Sequence, residues 1–185
     1  LAHRRLGAAI AARRVQRGYA ALAWGHLDSS TVRIEAPLGR HQQDRKRMTV
    51  MPQGRSARTH ASVIARFDVV DLLRLELHTG RTHQIRVHLE HIGHPVVGDP
   101  VYGGGGSRRI SGSSRRAAEL LEQSTPRQAL HAAALAFRHP VSGAPLEFRA
   151  EWPADLQDAL IVAAGEELVA PPEPLSYLRF FNRDG

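Results

Sequence analysis

The chain has 185 residues, of which 42% are hydrophobic, and it carries a formal net charge of +7 with no cysteine. This length is typical of one domain with a single core. The absence of cysteine excludes disulfides, thiolate metal sites and a thiol nucleophile. No apolar run approaches the roughly 18 residues of a membrane span, and charges interrupt the apolar N-terminal segment. We therefore expect a soluble, cytoplasmic protein without membrane contacts.

Arginine supplies almost all of the positive charge, since Lys46 is the only lysine among the 25 basic residues. A planar guanidinium binds phosphate oxygens in pairs, so clustered arginines favour a nucleic-acid partner. Such clusters occur in segments 39–47 and 106–116. Genomic base composition also produces chains rich in arginine and alanine, so the inference depends on the clusters and not on the total charge.

The first part of the chain predicts one helix followed by strands. Apolar residues at helical spacing predict a helix over 2–17 that ends before a glycine. Residues 18–27 are interpreted as a strand, and apolar residues alternating around Val32 and Ile34 predict the next strand over 30–38. Residues 48–67 then predict a β-hairpin that turns at residues 52–54.

The middle of the chain predicts a strand that leads directly into a helix. Alternating leucines predict a half-buried strand over 69–79. The next segment, 83–93, predicts a short helix closed by Gly93. The predicted buried face of this helix consists of Ile85, Leu89 and Ile92.

The last part of the chain predicts a loop, a hairpin and a terminal helix. Glycine, serine and arginine over 103–116 predict a mobile loop. A second hairpin is predicted over 130–152, turned at residues 142–143, and proline opens a helix over 153–164. Many strands with few peripheral helices predict an α+β fold with a mixed, largely antiparallel β-sheet.

Five histidines lie close together in the sequence and raise the hypothesis of a metal site: His78, His83, His88, His91 and His94. His88 and His91 share one face of the predicted helix, as metal ligands can. Their spacing and the position of Glu90 differ from the HExxH pattern of zinc enzymes. We therefore favour neutral histidines that form hydrogen bonds and pack, and we expect no metal and no cofactor.

Two other kinds of site are poorly supported. The glycines over 103–106 are not followed by the lysine and helix start of a phosphate-binding P-loop. Asp99 stands alone as an acid in "GDPVYG", and its place before a proline favours a turn former over a catalytic carboxylate.

The predicted strand over 69–79 ends in a polar rim. The rim consists of Thr79, Gly80, Arg81, Thr82, His83, Gln84 and Arg86. Apolar Ile85 and Val87 flank Arg86, which argues against an ordinary solvated arginine. Its guanidinium is suited to hold a carboxylate or a phosphate.

The segment "LHTGRTHQIRVHLEHIGHPVVGDPVYGG" resembles a signature motif of the RluA-type family of RNA pseudouridine synthases. "RGYAALAWG" resembles the segment with the family's active-site tyrosine, and "PLGRHQQDRKRMTV" resembles its basic loop. "RQALHAAALAFRHPVSGAPLEFRAEWPADL" resembles the C-terminal strands. The resemblance covers residues 1–163, which it identifies as a pseudouridine synthase catalytic domain, and leaves 164–185 as a tail of unknown role.

One feature of the family is not present in this sequence. The family's nucleophilic aspartate lies in a motif of the form RLDxxTSG, which belongs just upstream of Leu1, and the 185 residues do not contain it. We therefore expect the sequence to be the larger part of a catalytic domain, without its nucleophile and without any preceding RNA-binding domain. As given, the chain is expected to be inactive.

The resemblance also implies roles for the residues that are present. Uridine is flipped out of the RNA, cleaved at its N-glycosidic bond, turned and rejoined through C5, with no cofactor. Arg86 would pair with the nucleophilic aspartate and keep it ionised. Tyr19 would stack on the flipped base and help to remove the C5 proton.

Further residues are implied in binding the RNA. Arg81, His83 and Gln84 would support the pocket or contact the RNA backbone. The basic loop offers candidate phosphate contacts at Arg40, Arg45, Lys46 and Arg47, so binding should weaken with salt. Apolar walls of the pocket would be Leu77, Val96 and Val97.

Three functions stay open at this point. The first is a pseudouridine synthase, expected as a monomer, whose partner is RNA. Large-subunit ribosomal RNA is preferred because "RHQQDRKRM" and "GHPVVGDPVYGG" most resemble the ribosomal members. The second is a non-catalytic RNA-binding module, and the third is a histidine-based metalloenzyme.

Overall fold

The computed structural model describes residues 2–166 and 172–182. The strands in chain order are β1 (Gln16–Trp24), β2 (Thr31–Glu35), β3 (Leu38–Arg40), β4 (Met48–Val50), β5 (Arg58–Arg66), β6 (Val70–Leu77), β7 (Leu130–Arg138) and β8 (Pro145–Arg149). The helices are α1 (Ala2–Ala11), α2 (Gln84–His91), α3 (Arg115–Gln123), α4 (Gln157–Ala164) and α5 (Pro174–Tyr177). None of the helices described is both long and apolar enough to span a bilayer.

Six of the strands form one antiparallel sheet in the order β2-β5-β6-β1-β7-β8. Helices pack around this sheet, so the predicted α+β class with a largely antiparallel sheet is confirmed. The predicted hairpin over 130–152 is also confirmed, since β7 pairs with β8. Its tight turn includes Gly143, whose positive φ suits a residue without a side chain.

The centre of the sheet is buried on both faces. β6 was predicted to alternate between buried and exposed side chains, but residues 70–73 are all buried, as is Leu75. Its neighbour β1 is buried throughout residues 20–24. A strand in the middle of a sheet that is covered on both faces loses the alternation that marks a half-buried strand.

The predicted hairpin over 48–67 is wrong. β4 pairs instead with β3 in a separate two-stranded sheet, and β5 pairs with β2 and β6. The turn after β4 packs so closely on Leu38 that a Cβ at Gly54 would lie 2.5 Å from the Leu38 carbonyl carbon. This contact directs the turn back to β3. We call the β3–β4 unit, residues 38–50, the basic hairpin.

A β-bulge interrupts the pairing of β1 with β7. Gly18 lies opposite Ala134 and Tyr19 lies opposite Ala132, which leaves Ala133 as the extra residue on β7. The strands approach closely here, because a Cβ at Gly18 would lie 3.1 Å from the Ala134 Cβ. The bulge therefore lies directly beside Tyr19.

Several helices differ from the sequence prediction. α1 is shorter than the predicted helix over 2–17 and buries no side chain. The segment predicted as a mobile loop over 103–116 contains two 3-10 helices, Gly106–Arg109 and Gly112–Ser114, and the first residues of α3. α3 packs Ala118 and Leu121 into the core, which fixes the end of that segment.

Helix α2 lies between two groups of buried side chains. Ile85 and Leu89 belong to the main core beside the large sheet. Val87 belongs to a smaller cluster with Leu38, Ala57 and Tyr102, under the basic hairpin. The predicted helix and its closing Gly93, at φ 86°, are confirmed. The helix thus joins the large sheet to the basic hairpin.

The described part of the tail packs on the main core. Leu175 and Phe180 are fully buried there, and the carbonyl of Phe180 accepts a hydrogen bond of 2.8 Å from Arg74 Nη1. The carboxylate of Glu151 accepts the backbone N–H of Leu175 at 2.7 Å. Residues 172–182 therefore contribute to the fold.

Candidate functional site

Gln84 fixes the turn between β6 and α2. Its Oε1 accepts hydrogen bonds from the Thr79 hydroxyl, at 2.7 Å, and the Arg81 N–H, at 3.1 Å. Its Nε2 donates to the Arg58 carbonyl at 2.9 Å and to Thr59 Oγ1 at 3.0 Å. The amide therefore uses both acceptor positions and both donors, and the side chain is buried. Gln84 was expected either to support the pocket or to contact the RNA backbone. This geometry fits the supporting role, because the amide has no hydrogen-bonding group left for RNA.

Arg81 and His83 occupy the partly exposed side of the same turn. Arg81 Nε donates to the Ser56 carbonyl at 3.2 Å. His83 has a left-handed backbone, with φ 55°, and its Nδ1 lies 3.0 Å from the Tyr102 hydroxyl. Burial and then the nearby charge of Arg86 lower the pKa of His83. The neutral ring that results can accept a hydrogen bond from the Tyr102 hydroxyl. The contacts of Arg81 and His83 with RNA stay a prediction.

Arg86 forms a two-pronged ion pair with Asp99. Its Nε and Nη2 donate to Asp99 Oδ2 and Oδ1 at 2.6 and 2.7 Å. The side chain of Arg86 is 12% exposed and that of Asp99 is completely buried. The hydrogen bond with Asp99 raises the pKa of Arg86. The family resemblance implies the nucleophilic aspartate as the partner of Arg86, so Arg86 is expected to be unpaired in a chain without it; this is wrong, because Asp99 binds Arg86.

Asp99 is both a turn former and an ion-pair partner. Its Oδ1 also accepts the backbone N–H groups of Val101 and Tyr102, each at 2.9 Å. Burial by itself would raise the pKa of Asp99. The hydrogen bonds from Arg86, Tyr102 and Val101 together have the larger, opposite effect, so the pKa lies below its usual range. The "GDPVYG" turn is therefore held against the first turn of α2.

His88 is a buried packing residue that also satisfies backbone groups. Its Nδ1 lies 2.9 Å from Thr59 Oγ1 and its Nε2 lies 3.0 Å from the Ala36 carbonyl. Burial lowers the pKa of His88, which favours a neutral ring; with its proton on Nε2, this ring can donate to Ala36 and accept from Thr59. Within residues 2–166 and 172–182, no three histidine, aspartate or glutamate side chains converge as metal ligands would.

The basic hairpin presents its cations in two different environments. Arg40, Arg45 and Lys46 are exposed. Arg47 is partly buried, and its Cζ lies 5.3 Å from the centre of the Tyr102 ring. The base of the hairpin is held by the Met48 N–H, which donates to the Tyr102 hydroxyl at 2.8 Å. The surface cations are free to contact phosphates, which remains a prediction.

Tyr19 lines a cavity of about 270 Å³ between β1, β7 and β8. Arg17, Phe148 and Arg149 also line this cavity. The Tyr19 hydroxyl forms no hydrogen bond with any residue that the structure describes. Arg17 extends from the same strand over Gly80, where an added Cβ would lie 2.6 Å from Arg17 Nη1. Tyr19 is thus available to a ligand, next to the start of the 79–103 motif.

The three predicted wall residues divide into two groups. Val96 and Val97 are completely buried in the main core, where backbone hydrogen bonds join Val97 to Leu22 and Ala129. They contribute packing and present no open surface. Leu77, at the end of β6, is partly buried and packs against the same core, so a role as a wall stays a prediction for Leu77 alone.

Tyr19 and Arg86 are not brought together within the described residues. No hydrogen bond, ion pair or ring contact joins them in this part of the chain. A second cavity, of about 370 Å³, is lined by Asp99 and by the glycine-rich segment 103–106. That Tyr19 and Arg86 serve one site therefore stays a prediction.

Sequence reasoning missed the contribution of Tyr102. This residue is 1% exposed and contacts the side chains of Arg47, His83 and Arg86. A buried tyrosine usually finds partners for its hydroxyl, and "GDPVYG" places Tyr102 three residues after an acid in a tight turn. That pattern was the signal available in the sequence, but it does not identify the partners.

A family model described as RNA pseudouridylate synthase matches residues 1–91. An "Uncharacterized RNA pseudouridine synthase" of Chloroflexus aurantiacus is 49% identical over 149 residues, which are 80% of this chain and 42% of that protein. "Ribosomal large subunit pseudouridine synthase D" of Escherichia coli K12 is 43% identical over 161 residues, or 87% of this chain and 48% of that protein. The chain thus spans about half the length of these curated relatives.

Two solved human structures have a similar fold. "Human RNA Pseudouridylate Synthase Domain Containing 1" matches with a TM-score of 0.61 and 31% identity, over 78% of this chain and 57% of that chain. "Human RNA Pseudouridylate Synthase Domain Containing 4" matches with a TM-score of 0.66 over 86% of this chain and 66% of that chain. At 22% identity, the second likeness concerns the fold alone.

Proposed function

Because the chain belongs to the RluA-type family of RNA pseudouridine synthases, we propose that its residues serve an enzyme that isomerises uridine to pseudouridine in RNA. The observation that carries the proposal is the ordered motif 79–103, in which a buried amide and a buried ion pair hold Arg86 at the start of α2. The identity with curated relatives supports the same reaction class.

The proposed reaction breaks one bond and forms another within the same nucleoside. The C1′–N1 bond of uridine is cleaved, the base turns, a C1′–C5 bond forms, and the C5 proton is transferred so that N1 ends protonated. The base must leave the RNA stack to allow this movement. No redox change occurs, and no atom is gained or lost overall.

Tyr19 and Arg86 take the roles that the family resemblance implies. Tyr19 lines a cavity, and its hydroxyl has no partner among the described residues, which leaves it available to contact the base. Arg86 binds Asp99 through Nε and Nη2, so its Nη1 is left to orient a second carboxylate. The second carboxylate is the nucleophilic aspartate of the RLDxxTSG motif, which is not among the 185 residues.

Large-subunit ribosomal RNA is the proposed substrate. The E. coli relative, whose name refers to the large ribosomal subunit, aligns with 87% of this chain. The exposed cations of the basic hairpin suit contacts with phosphates, which position an RNA without reading its sequence. We propose that the choice of uridine depends on RNA shape.

The test uses the protein as its own cell produces it. Its intact mass is measured first, and the purified protein is then incubated with ribosomal RNA labelled with tritium at uridine C5. Isomerisation exchanges the C5 hydrogen, so we expect release of tritium to water and pseudouridine in the digested RNA. The Tyr19→Phe variant should fold normally, because the hydroxyl has no partner in the part of the chain that the structure describes, and release no tritium.

A second candidate function is RNA binding without modification. The observation in its favour is the set of exposed cations on the basic hairpin, which suit phosphate contacts that need no catalytic group. Salt-sensitive binding of ribosomal RNA by the natural product, with no tritium release, would establish this function and reject the enzyme. Tritium release that is lost in Tyr19→Phe would reject the second candidate.

A further inference from the structure

Two guanidinium groups approach the ring of Tyr102. The Cζ atoms of Arg47 and Arg86 lie 5.3 and 4.8 Å from the ring centre. Such contacts attract because the face of an aromatic ring is electronegative, and the attraction grows when water is excluded. Tyr102 is 1% exposed, so this ring is well shielded from water. It holds one arginine of the basic hairpin close to the arginine of α2.

The charges of these two arginines are balanced differently. Asp99 neutralises Arg86 through two short hydrogen bonds. Arg47 forms no ion pair and no side-chain hydrogen bond with any described residue, and its Nε is buried without a partner. A buried donor without a partner is costly, and a charged one more so. The Arg47 side chain is only partly buried, so the N–H groups other than Nε are suited to bind an oxyanion from outside the chain.

The Tyr102 hydroxyl also holds the hairpin in place. It accepts the Met48 N–H at 2.8 Å and lies 3.0 Å from His83 Nδ1, to which it can donate when that nitrogen carries no proton. Met48 follows Arg47 directly, so this bond fixes the backbone that carries the arginine. The contact of the Tyr102 hydroxyl with His83 joins Tyr102 to the residue before α2.

We propose that Arg47 and Tyr102 form a phosphate-binding site for RNA at the junction of the basic hairpin and α2, with Arg47 as the binding residue and Tyr102 as its positioning residue. The ring sets the position of the guanidinium, and the hydroxyl sets the position of the hairpin backbone. This inference rests on the proposed function only for the identity of the anion, a phosphodiester of the substrate RNA.

The first experiment measures RNA binding by the 185-residue chain. The probe is a fluorescein-labelled RNA stem-loop with uridines in its loop, and anisotropy gives the Kd at several salt concentrations. We expect Arg47→Gln to weaken binding about tenfold, as loss of a charge-assisted hydrogen bond does. The slope of log K against log[salt] should fall by about 0.7–0.9 for one phosphate contact. The matched control Arg45→Gln removes one charge from the exposed side of the same hairpin and should weaken binding less.

The second experiment tests the coupling between Arg47 and Tyr102. Tyr102→Leu removes the ring, so we expect it to weaken binding as Arg47→Gln does. The double variant should bind no more weakly than Arg47→Gln alone, within about twofold, because each change disables the same site. If Tyr102 had only a general role in stability, the two losses would multiply.

A third variant covers the case in which Tyr102→Leu does not fold. Tyr102→Phe keeps the ring beside both arginines and removes only the hydroxyl. We expect faster hydrogen exchange of the Met48 amide and a modest loss of affinity that depends on the presence of Arg47. Unchanged exchange and unchanged affinity in this variant would overturn the positioning role.

The outcomes separate this inference from the proposed function. Binding by the wild-type chain with equal losses in Arg47→Gln and Arg45→Gln would overturn the phosphate site and leave the proposed function in place. No RNA binding by the wild-type chain would overturn the phosphate site, while the proposed function is decided by tritium release from the protein as its own cell produces it. A larger loss for Arg47→Gln, together with non-additive coupling to Tyr102, supports the site even if tritium release fails.

Discussion

Arg86 and Asp99 are 13 residues apart in the chain and form a two-pronged ion pair with hydrogen bonds of 2.6 and 2.7 Å. The pair links the first turn of α2 to the "GDPVYG" turn. Since the Asp99 side chain is completely buried, its charge depends on Arg86 and on two backbone N–H groups. The same aspartate therefore shapes a turn and sets the position of a predicted catalytic residue.

We predict that Asp99→Asn destabilises the chain by about 3 kcal/mol, because it leaves the charge of Arg86 largely buried without a partner. Urea unfolding followed by circular dichroism measures the change. The control Glu147→Gln breaks an ion pair with Arg149 in which both side chains are more than half exposed, at 57% and 56%. Exposed pairs contribute little, so this variant should unfold almost like the wild type. Equal effects of the two variants would contradict the prediction.

We predict that Gln84→Leu destabilises the chain by about 3 kcal/mol or more. The leucine has a similar volume but removes four hydrogen bonds to β5 and to the 79–81 turn, two of them buried and two partly buried. The control Gln53→Leu makes the same change at an exposed position and should stay within about 0.5 kcal/mol of wild type. A stable Gln84→Leu chain with weakened RNA binding would instead assign Gln84 to the RNA.

The sequence predicts the elements better than their pairing. β1, β2 and the hairpin of β7 with β8 follow from local alternation and turn residues. The partner of β4 does not, because it depends on the contact of Gly54 with Leu38 across the hairpin. α3 carries apolar residues at helical spacing, but the glycine and serine residues before it favoured a loop.

We predict that acid destabilises the chain partly through His88. Burial lowers its pKa in the folded chain below the unfolded value of about 6.5. The unfolded chain therefore binds the proton first, and this contribution to stability is lost as the pH falls below about 6.5. Each such histidine adds a slope of about 1.4 kcal/mol per pH unit.

The measurement is the free energy of unfolding between pH 7.5 and pH 5, for the wild type and for His88→Gln. His83 and His131 also have lowered pKa values, chiefly because of burial, so the wild-type slope contains their contributions as well. The variant should be less stable at pH 7.5 and should show a shallower slope. If the free energy of unfolding had the same pH dependence in both chains, His88 would not contribute to the acid destabilisation.

We predict that Gly98→Ala is much more destabilising than Gly93→Ala. Both glycines have positive φ, 69° and 86°, so both variants incur the cost of left-handed backbone, about 1 kcal/mol. At Gly98 the added Cβ would also lie 2.5 Å from the Arg127 carbonyl oxygen, whereas at Gly93 nothing lies within 4 Å. Thermal unfolding should show a clearly larger decrease in Tm for Gly98→Ala. Similar Tm values would mean that the backbone near Arg127 moves enough to accommodate the added Cβ.

The candidate site could be predicted only in part. The position of Arg86 at the start of a helix follows from the sequence, because Ile85 and Val87 flank it and a glycine closes the helix. Its partner Asp99 and the contact of Tyr102 with Arg47 depend on how the turn folds back over α2. Such contacts join residues far apart in the chain, and local patterns carry no information about them.

The bulge at Ala133 makes the length of β7 a constraint in evolution. Because side chains alternate along a strand, a gain or loss of one residue moves every following side chain to the opposite face. The extra residue at Ala133 accounts for the pairing of Tyr19 with Ala132 and of Gly18 with Ala134. A one-residue deletion in β7 would therefore not be a local change, since it would turn either the residues beside Tyr19 or those facing β8 to the wrong side. Natural variation in length should accordingly collect in the turns and be absent from β7.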